Sequence, residues 1–322
     1  MTLPSYVLIT PARNEAHFIE LTIKSVIAQT VRPLKWAIVS DGSTDGTNEI
    51  VSRYAADHPW IELVRTPERA ERHFAGKVHA FNAGYALVRD LEYDVIGSVD
   101  ADISFGEDYF SFLLQKLAGN ASLGLVGTPF REGPNQIYDY RFSSIEHVSG
   151  ACQLFRRECF EMIGGYLPLK GGGIDLVAVV TSRMKGWQTR TFTERACIHH
   201  RKMNSAMNQG LKLNFKWGQS DYRLGSHPAW QLFRCFYQMR NRPYVAGGLL
   251  TFAGYYYALI SRRPRSVSAE FVAFRGKEQM HRLKEFFIGK LRLTRREIPA
   301  APGMIAGAGP GAAAAAGQDN DK

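Results

Sequence analysis

Four short apolar runs, at residues 6–10, 36–40, 61–65 and 95–99, each stop at polar or turn-forming residues, and the segments between them repeat apolar side chains at helical spacing. The first such segment carries Phe18, Leu21, Ile23, Val26 and Ile27, and residues 48–56, 78–91 and 107–117 read as further helices. Strands alternating with helices predict βαβ units and a mostly parallel sheet flanked by helices. In such a sheet the loops after successive strands share one rim, and ligands bind there, outside the carboxyl ends.

The fourth run ends at Asp100-Ala101-Asp102. On a strand continuing through both, the two carboxylates face the same way. Burying like charges together is costly, so a positive group is expected opposite them. Hard divalent cations take carboxylate and phosphate oxygens, which points to a metal-bound diphosphate. Taken alone, Asp-x-Asp favours an Asx-turn followed by a helix cap, so the neighbouring loops decide. The first strand runs into Pro11-Ala12-Arg13-Asn14-Glu15 and the second into Asp41-Gly42-Ser43-Thr44-Asp45. Asp41 closes its strand, where a carboxylate can accept hydrogen bonds from a nucleobase or ribose. Gly42 lets a ligand approach the backbone. Ser43, Thr44 and Asp45 also have ordinary capping and turn chemistry. In the basic loop of residues 66–77, Arg69 and Arg72 fit a solvated surface as well as a ligand. Lys77, at the start of a helix after Gly76, can meet phosphate together with the helix amides.

Pro11 to Glu15, the loop from Asp41 to Asp45, Gly76-Lys77 with Ala80-Phe81-Asn82-Ala83-Gly84, and Asp100-Ala101-Asp102 stand in an order and spacing that resembles the family 2 inverting glycosyltransferases of the GT-A fold. The resemblance implies a Rossmann-like α/β domain and a nucleotide-diphosphate sugar as donor. Pro11, Arg13, Glu15, Asp41, Lys77, Asp100, Ala101 and Arg201 would bind the donor. Asp102 would be the principal ligand of a divalent metal, Mg²⁺ or Mn²⁺. A histidine in a C-terminal loop often adds a metal ligand in such enzymes, and here His199 and His200 are adjacent. His200 is the preferred choice, with Arg201 and Lys202 on phosphate.

The second half resembles the acceptor side of the same fold. Residues 126–129 read as the start of a strand, and residues 149–157 as a small-residue turn leading into an apolar strand. Cys152 there reads as a core thiol. Gly171-Gly172-Gly173-Ile174-Asp175 precedes a helix over residues 176–184, and residues 187–193 read as a strand. Three glycines before one carboxylate can bring it close to a bulky substrate, although an N-cap aspartate fits the same pattern. In the family a Glu-Asp pair at this point supplies the catalytic base. Ile174 replaces the first acid here, leaving Asp175 for the role.

Hydrophobic residues make up 45% of the 322 residues and charged ones 22%, ordinary values for a globular chain with a sizeable core. The net charge of +10 is less ordinary and calls for a polyanionic partner. Four cysteines show no CxxC pairing, which favours reduced thiols in a cytoplasmic compartment over zinc or disulfides. The first apolar run is too short for a signal peptide and reads as a strand. Residues 212–242 interleave aromatic and basic side chains. They precede an uncharged run at residues 244–260, which is closed by Arg262, Arg263 and Arg265. That run is marginal for a membrane span, and its glycines weaken it further. An interfacial or re-entrant segment on an anionic leaflet fits, as does a helix packed on the catalytic domain. Residues 271–291 read as an amphipathic helix and residues 300–322 as a disordered Ala/Gly/Pro-rich tail. Nucleic acid is not expected, since no binding module accompanies the aromatic-basic stretch.

The expected organisation is a GT-A catalytic domain at residues 1–205, with a nucleotide-sugar half (1–105) and an acceptor half (106–205). A helical membrane-associating region (206–298) and the tail (299–322) follow. The expected activity is inverting, metal-dependent transfer of a single sugar to a hydroxyl of a lipid-linked glycan, at the inner face of the cell membrane. The Gln-x-x-Arg-Trp element of processive relatives is absent. A nucleotidyltransferase lacks its Gly-rich loop here, and a dehydrogenase lacks GxGxxG after the first strand. A catalytically silent scaffold with this fold is the remaining rival.

Overall fold

Alternation along the first strands sets the layering. In the computed structural model, which describes residues 2–68, 75–132, 144–201, 211–240 and 244–296, Tyr6 and Leu8 of β1 (Tyr6–Ala12) pack into one apolar cluster. Val7 and Ile9 pack into another on the opposite face. β2 (Lys35–Asp41) divides Trp36 and Ile38 from Ala37 and Val39 in the same way. The period of two thus feeds two cores, which require helices on both faces. Helices α1 (Ile19–Ile27) and α2 (Thr47–Asp57) supply residues to the first cluster, and α3 (Ala75–Val88) to the second.

β3 (Ile61–Thr66), β2, β1 and β4 (Val95–Val99) are parallel neighbours. After β4 come β5 (Ile103–Ser104), α4 (Tyr109–Gly119), β6 (Leu123–Gly127) and β7 (Phe130–Arg131). The chain continues through β8 (Cys152–Arg156), α5 (Arg157–Met162), α6 (Ile174–Met184), β9 (Gln188–Thr191) and β10 (Cys197–His199). The seven-stranded order is β3-β2-β1-β4-β8-β6-β9, with β8 antiparallel to both of its neighbours. The sheet is therefore mostly parallel, as the alternation predicts, and mixed at β8. A small second sheet, β5-β10-β7, sets the chain after β4 beside the segment that ends at His199. Residues 126–129 do not start a strand. Val126 and Gly127 end β6, whose five residues are all buried, and Thr128 and Pro129 form the break before β7.

Three further helices, α7 (Leu211–Arg223), α8 (Pro228–Gln238) and α9 (Tyr244–Ile260), follow. α7 and α9 pack backbone to backbone. A Cβ on Gly218 would lie 2.0 Å from the Thr251 carbonyl oxygen, and one on Gly254 would lie 2.0 Å from that of Phe215. Of the glycines that weaken α9 as an isolated helix, Gly254 permits this approach, and Gly248 admits α8, where a Cβ would lie 2.6 Å from the Cys235 carbonyl oxygen. α10 (Ala269–Arg296) begins by burying Phe271 in the second core cluster, and its Glu278 receives a bidentate bond from Arg183 of α6 (2.6 and 2.9 Å). Residues 1–280 form one compact unit. Residues 281–322 form a second, whose described part continues α10. Among the described residues no helix is long and apolar enough to cross a membrane. All four cysteines are free and buried.

Candidate active site

The two rim loops after β1 and β2 are tied to each other before any ligand is considered. Asn14 adopts φ +55°, a left-handed conformation that asparagine tolerates better than most residues. Its side-chain oxygen accepts from the Thr44 amide (2.8 Å), and its own amide donates to Ser43 Oγ (3.1 Å). The Glu15 amide donates to Thr47 Oγ1 (2.9 Å), and the Ala16 amide to Asp45 Oδ2 (3.0 Å). Burial works against the Asp45 carboxylate, but bonds from Thr47 and the Ala16 amide bring its pKa below the ordinary value. Ser43, Thr44 and Asp45 therefore serve as structural ties. Asp41 closes β2 almost fully buried; it accepts from Thr66 Oγ1 (3.1 Å) and faces Arg13 at 4.0 Å.

β4 stops at Val99, so Asp100 and Asp102 lie in the turn that follows and engage different cations. The Asp100 amide donates to the Ala151 carbonyl (2.9 Å), and its carboxylate accepts from the Lys77 ammonium, which reaches in from the first turn of α3. Desolvation works against the Lys77 charge, but Asp100, with Asp175 and Asp102 behind it, holds its pKa above the usual lysine value. Burial raises Asp100 above the usual carboxylate range, opposed by Lys77 and reinforced by Asp102. Asp102 accepts from Arg201 Nε (3.1 Å), and the same guanidinium donates to Glu15. One arginine thus joins the loop after β1 to the turn after β4. The Ala101 methyl packs in the first core cluster, and its carbonyl accepts from Thr22 (2.9 Å), so that side chain does not reach the ligand side.

The histidine pair separates clearly. β10 pairs antiparallel with β5 and turns His199 inward, where it is 7% exposed. Its Nδ1–H donates to the Arg201 carbonyl oxygen, which can only accept. In the neutral ring Nε2 then presents a lone pair to Asp102 Oδ1, 3.6 Å away. Two acceptors facing each other at this distance call for a proton or a cation between them. A backbone carbonyl orienting the far ring nitrogen is the usual support for a metal-binding histidine. His200 instead bonds Ser104 Oγ through Nε2 (2.8 Å) and stacks on Phe18. The structure therefore brings His199, rather than the preferred His200, to Asp102, because adjacent strand residues point to opposite faces.

The carboxylate suits Mg²⁺ or Mn²⁺, and the imidazole nitrogen favours the transition metal of the two, Mn²⁺. Among the described residues no group of three or more His, Cys, Asp and Glu side chains converges as a complete metal cage. A cation between Asp102 and His199 would complete its shell from phosphate oxygens and water, as nucleotide-bound Mg²⁺ does.

Beside this pair lies a cleft of about 350 Å³ lined by Lys77, Asp100, Asp175 and His199. Phe81, His147, Gly150, Gln153 and Tyr166 also line it; sequence reasoning did not assign them to the site. Tyr166, kept protonated by burial, donates to Gln153 Oε1 (2.7 Å), and its place after Gly164-Gly165 was the available signal. Nothing in the sequence marks His147. Pro11, Arg13, Glu15, Asp41, Asp102, His200 and Arg201 are not among the lining residues of the cleft. Arg69, Arg72, Lys202 and the tail of residues 299–322 lie outside the described residues.

Asp175 is the second residue of α6, and the cap position belongs to Gly173, at φ +85°. Asp175 is thus not the N-cap, and its carboxylate faces Gly150, where an added Cβ would stand 3.2 Å from its Cγ. Gly173 is fixed twice over, since a Cβ there would also lie 2.6 Å from Leu224, just past the end of α7. Gly173→Ala is expected to cost about 1–3 kcal/mol from the left-handed backbone and the overpacking. Thermal or urea melting checks it, and an unchanged midpoint would contradict the contact.

Residues 7–145 match the family model described as Glycosyl transferase family 2. Chondroitin synthase of Pasteurella multocida is 27% identical over 129 residues, 40% of this chain and 12% of that protein. Poly-beta-1,6-N-acetyl-D-glucosamine synthase of Staphylococcus aureus is 26% identical over 137 residues, 42% of this chain and 31% of that protein. The matched segment therefore spans less than a third of each relative. Among solved structures, mannosyltransferase PcManGT from Pyrobaculum calidifontis, in complex with GDP-Man and Mn²⁺, superposes with TM-score 0.53 at 20% identity. That match covers 85% of this chain and 79% of the other. S. aureus TarS 1-349 superposes with TM-score 0.53 at 11% identity, covering 80% and 92%. These neighbours are glycosyltransferases of the GT-A fold, and the architecture here is the same.

Proposed function

We propose that the family 2 glycosyl transferase domain of this chain carries out an inverting, divalent-metal-dependent transfer of one sugar. The donor is a nucleotide-diphosphate sugar, and the acceptor is a hydroxyl of a lipid-linked glycan in polysaccharide biosynthesis. The observation that carries this reading is the facing pair Asp102 Oδ1 and His199 Nε2, 3.6 Å apart, beside a cleft that Asp175 also lines. The GDP-Man and Mn²⁺ of PcManGT and the polysaccharides named for the two synthases support the same choice of donor, metal and pathway.

In this scheme Pro11, Arg13, Glu15 and Asp41 bind the nucleoside, and Asp100 meets the ribose or the metal. Asp102 and His199 would hold the cation, which would neutralise charge on the leaving diphosphate. Lys77, which pairs with Asp100, and Arg201, which pairs with Asp102 and Glu15, are the cations placed to meet phosphate oxygens. Asp175 takes the proton of the acceptor hydroxyl as its oxygen attacks the anomeric carbon opposite the departing diphosphate. The basic, aromatic helices after residue 210 support an acceptor at the inner face of the cell membrane, with the chain bound peripherally.

The histidine pair provides the test. His199→Ala is expected to weaken Mn²⁺ binding, measured calorimetrically with a nucleoside diphosphate present, by roughly 10–100-fold. His200→Ala is expected to leave it unchanged. The reverse pattern would sink the assignment.

A further inference from the structure

The helices α7 to α9 leave an apolar surface exposed among the described residues. One side of α9 (Gly247, Gly248, Thr251, Gly254, Tyr255, Ala258) is buried. The other side is not: Val245, Leu249, Tyr257 and Ile260 are 55%, 52%, 45% and 80% exposed. Val245, Leu249 and Ile260 fall on one stripe at helical spacing, with exposed Ala253 between them and Tyr257 at its edge. α8, which packs on α9 at Gly248, adds Leu232 and Phe236, 38% and 61% exposed, one turn apart. A contiguous apolar helix face of this length marks an interaction site.

Charge identifies the occupant. Residues 211–265 carry nine Lys/Arg and a single acid, Asp221. That acid is held by Arg234 at 2.9 Å and is 15% exposed. No charged residue interrupts residues 244–260, whereas Arg262 and Arg263, both exposed, stand immediately beyond Ile260, and exposed Arg240 ends the α8 stripe. An uncharged stripe with cations at its ends is the pattern of a helix lying in the plane of an anionic bilayer, with aliphatic side chains among the acyl chains and arginines at the headgroups. A protein partner would not require so one-sided a charge balance, and nucleic acid would not require the aliphatic stripe.

We infer that the exposed face of α9, flanked by Leu232 and Phe236 of α8, is the surface by which the chain docks on an anionic lipid bilayer. The inference deepens the peripheral-membrane part of the proposed function. It does not depend on the sugar chemistry, since docking is measured without donor.

The test is co-sedimentation of the full chain with vesicles of phosphatidylcholine alone or mixed with phosphatidylglycerol. Binding to the anionic vesicles is expected to be at least about 10-fold tighter and to weaken with salt. Leu249→Gln with Ile260→Ser is expected to lower it at least about 10-fold, and Arg262→Glu with Arg263→Glu to remove the anionic preference. Melting temperature and donor hydrolysis in lipid-free solution should stay at the parent values for both variants. The inference is overturned if the parent chain ignores anionic vesicles, if the aliphatic variant binds as tightly as the parent, or if the parent is a dimer that this variant dissociates. Donor turnover in solution without vesicle binding removes the docking face and leaves the transferase reading standing. Vesicle binding without turnover of any donor does the reverse.

Discussion

Asp102→Asn is expected to lower metal-dependent turnover of nucleotide sugar by about 10²-fold or more, with the fold intact. The substitution keeps the shape of the side chain and removes its charge. Arg201 then loses one of its two carboxylate partners and keeps the other, Glu15. What disappears is the carboxylate charge that stands 3.6 Å from His199 Nε2. Asp100→Asn should cost less, because Asp100 is paired to Lys77 and not to that imidazole. Initial rates of donor hydrolysis over a Mn²⁺ titration, beside thermal melts, separate the outcomes. A variant that kept the parent rate at every metal concentration would remove Asp102 from the metal site.

Asp175→Asn is expected to lose transfer to acceptor by about 10²–10⁴-fold while donor binding stays at the parent level. The residue sits in the first turn of α6, where the helix amides favour a carboxylate, and it lines the cleft rather than the nucleoside rim. Its sequence neighbour is Ile174, 7% exposed, in place of a second acid. Single-turnover transfer with a calorimetric donor titration is the check. Near-parent transfer by Asp175→Asn would remove it as the base.

Much of the fold was legible because its signals are local. The strands after residues 5, 35, 60 and 94 show themselves as short apolar runs between turn formers, and a parallel sheet buried on both faces needs such runs. The reversal at β8 was not legible, since periodicity says nothing about strand direction, and the boundary at residues 126–129 was lost to the same blindness. In the site, the rim loops and Asp100-Ala101-Asp102 could be found from order and spacing. The choice between His199 and His200 could not, because on a strand it depends on which face meets Asp102, and that is decided by the distant pairing of β10 with β5. Asp175 resembled an N-cap because the cap falls to Gly173, at φ +85°, and a glycine carries no side-chain cap signal that would mark it in the sequence. The uncharged run in α9 was visible as a whole, but its division into a buried glycine face and an exposed aliphatic face needed α7 and α8 in place.

In the proposed reaction, donor binding runs through a cation held by Asp102 and His199. Its most direct measurement is calorimetric titration of the parent chain with UDP and with GDP, in Mn²⁺ and again in EDTA. One of the two nucleotides is expected to bind in Mn²⁺, and this binding is expected to be lost in EDTA and in Asp102→Asn. Equal affinity with and without metal, or a failure of both nucleotides to bind, would contradict it.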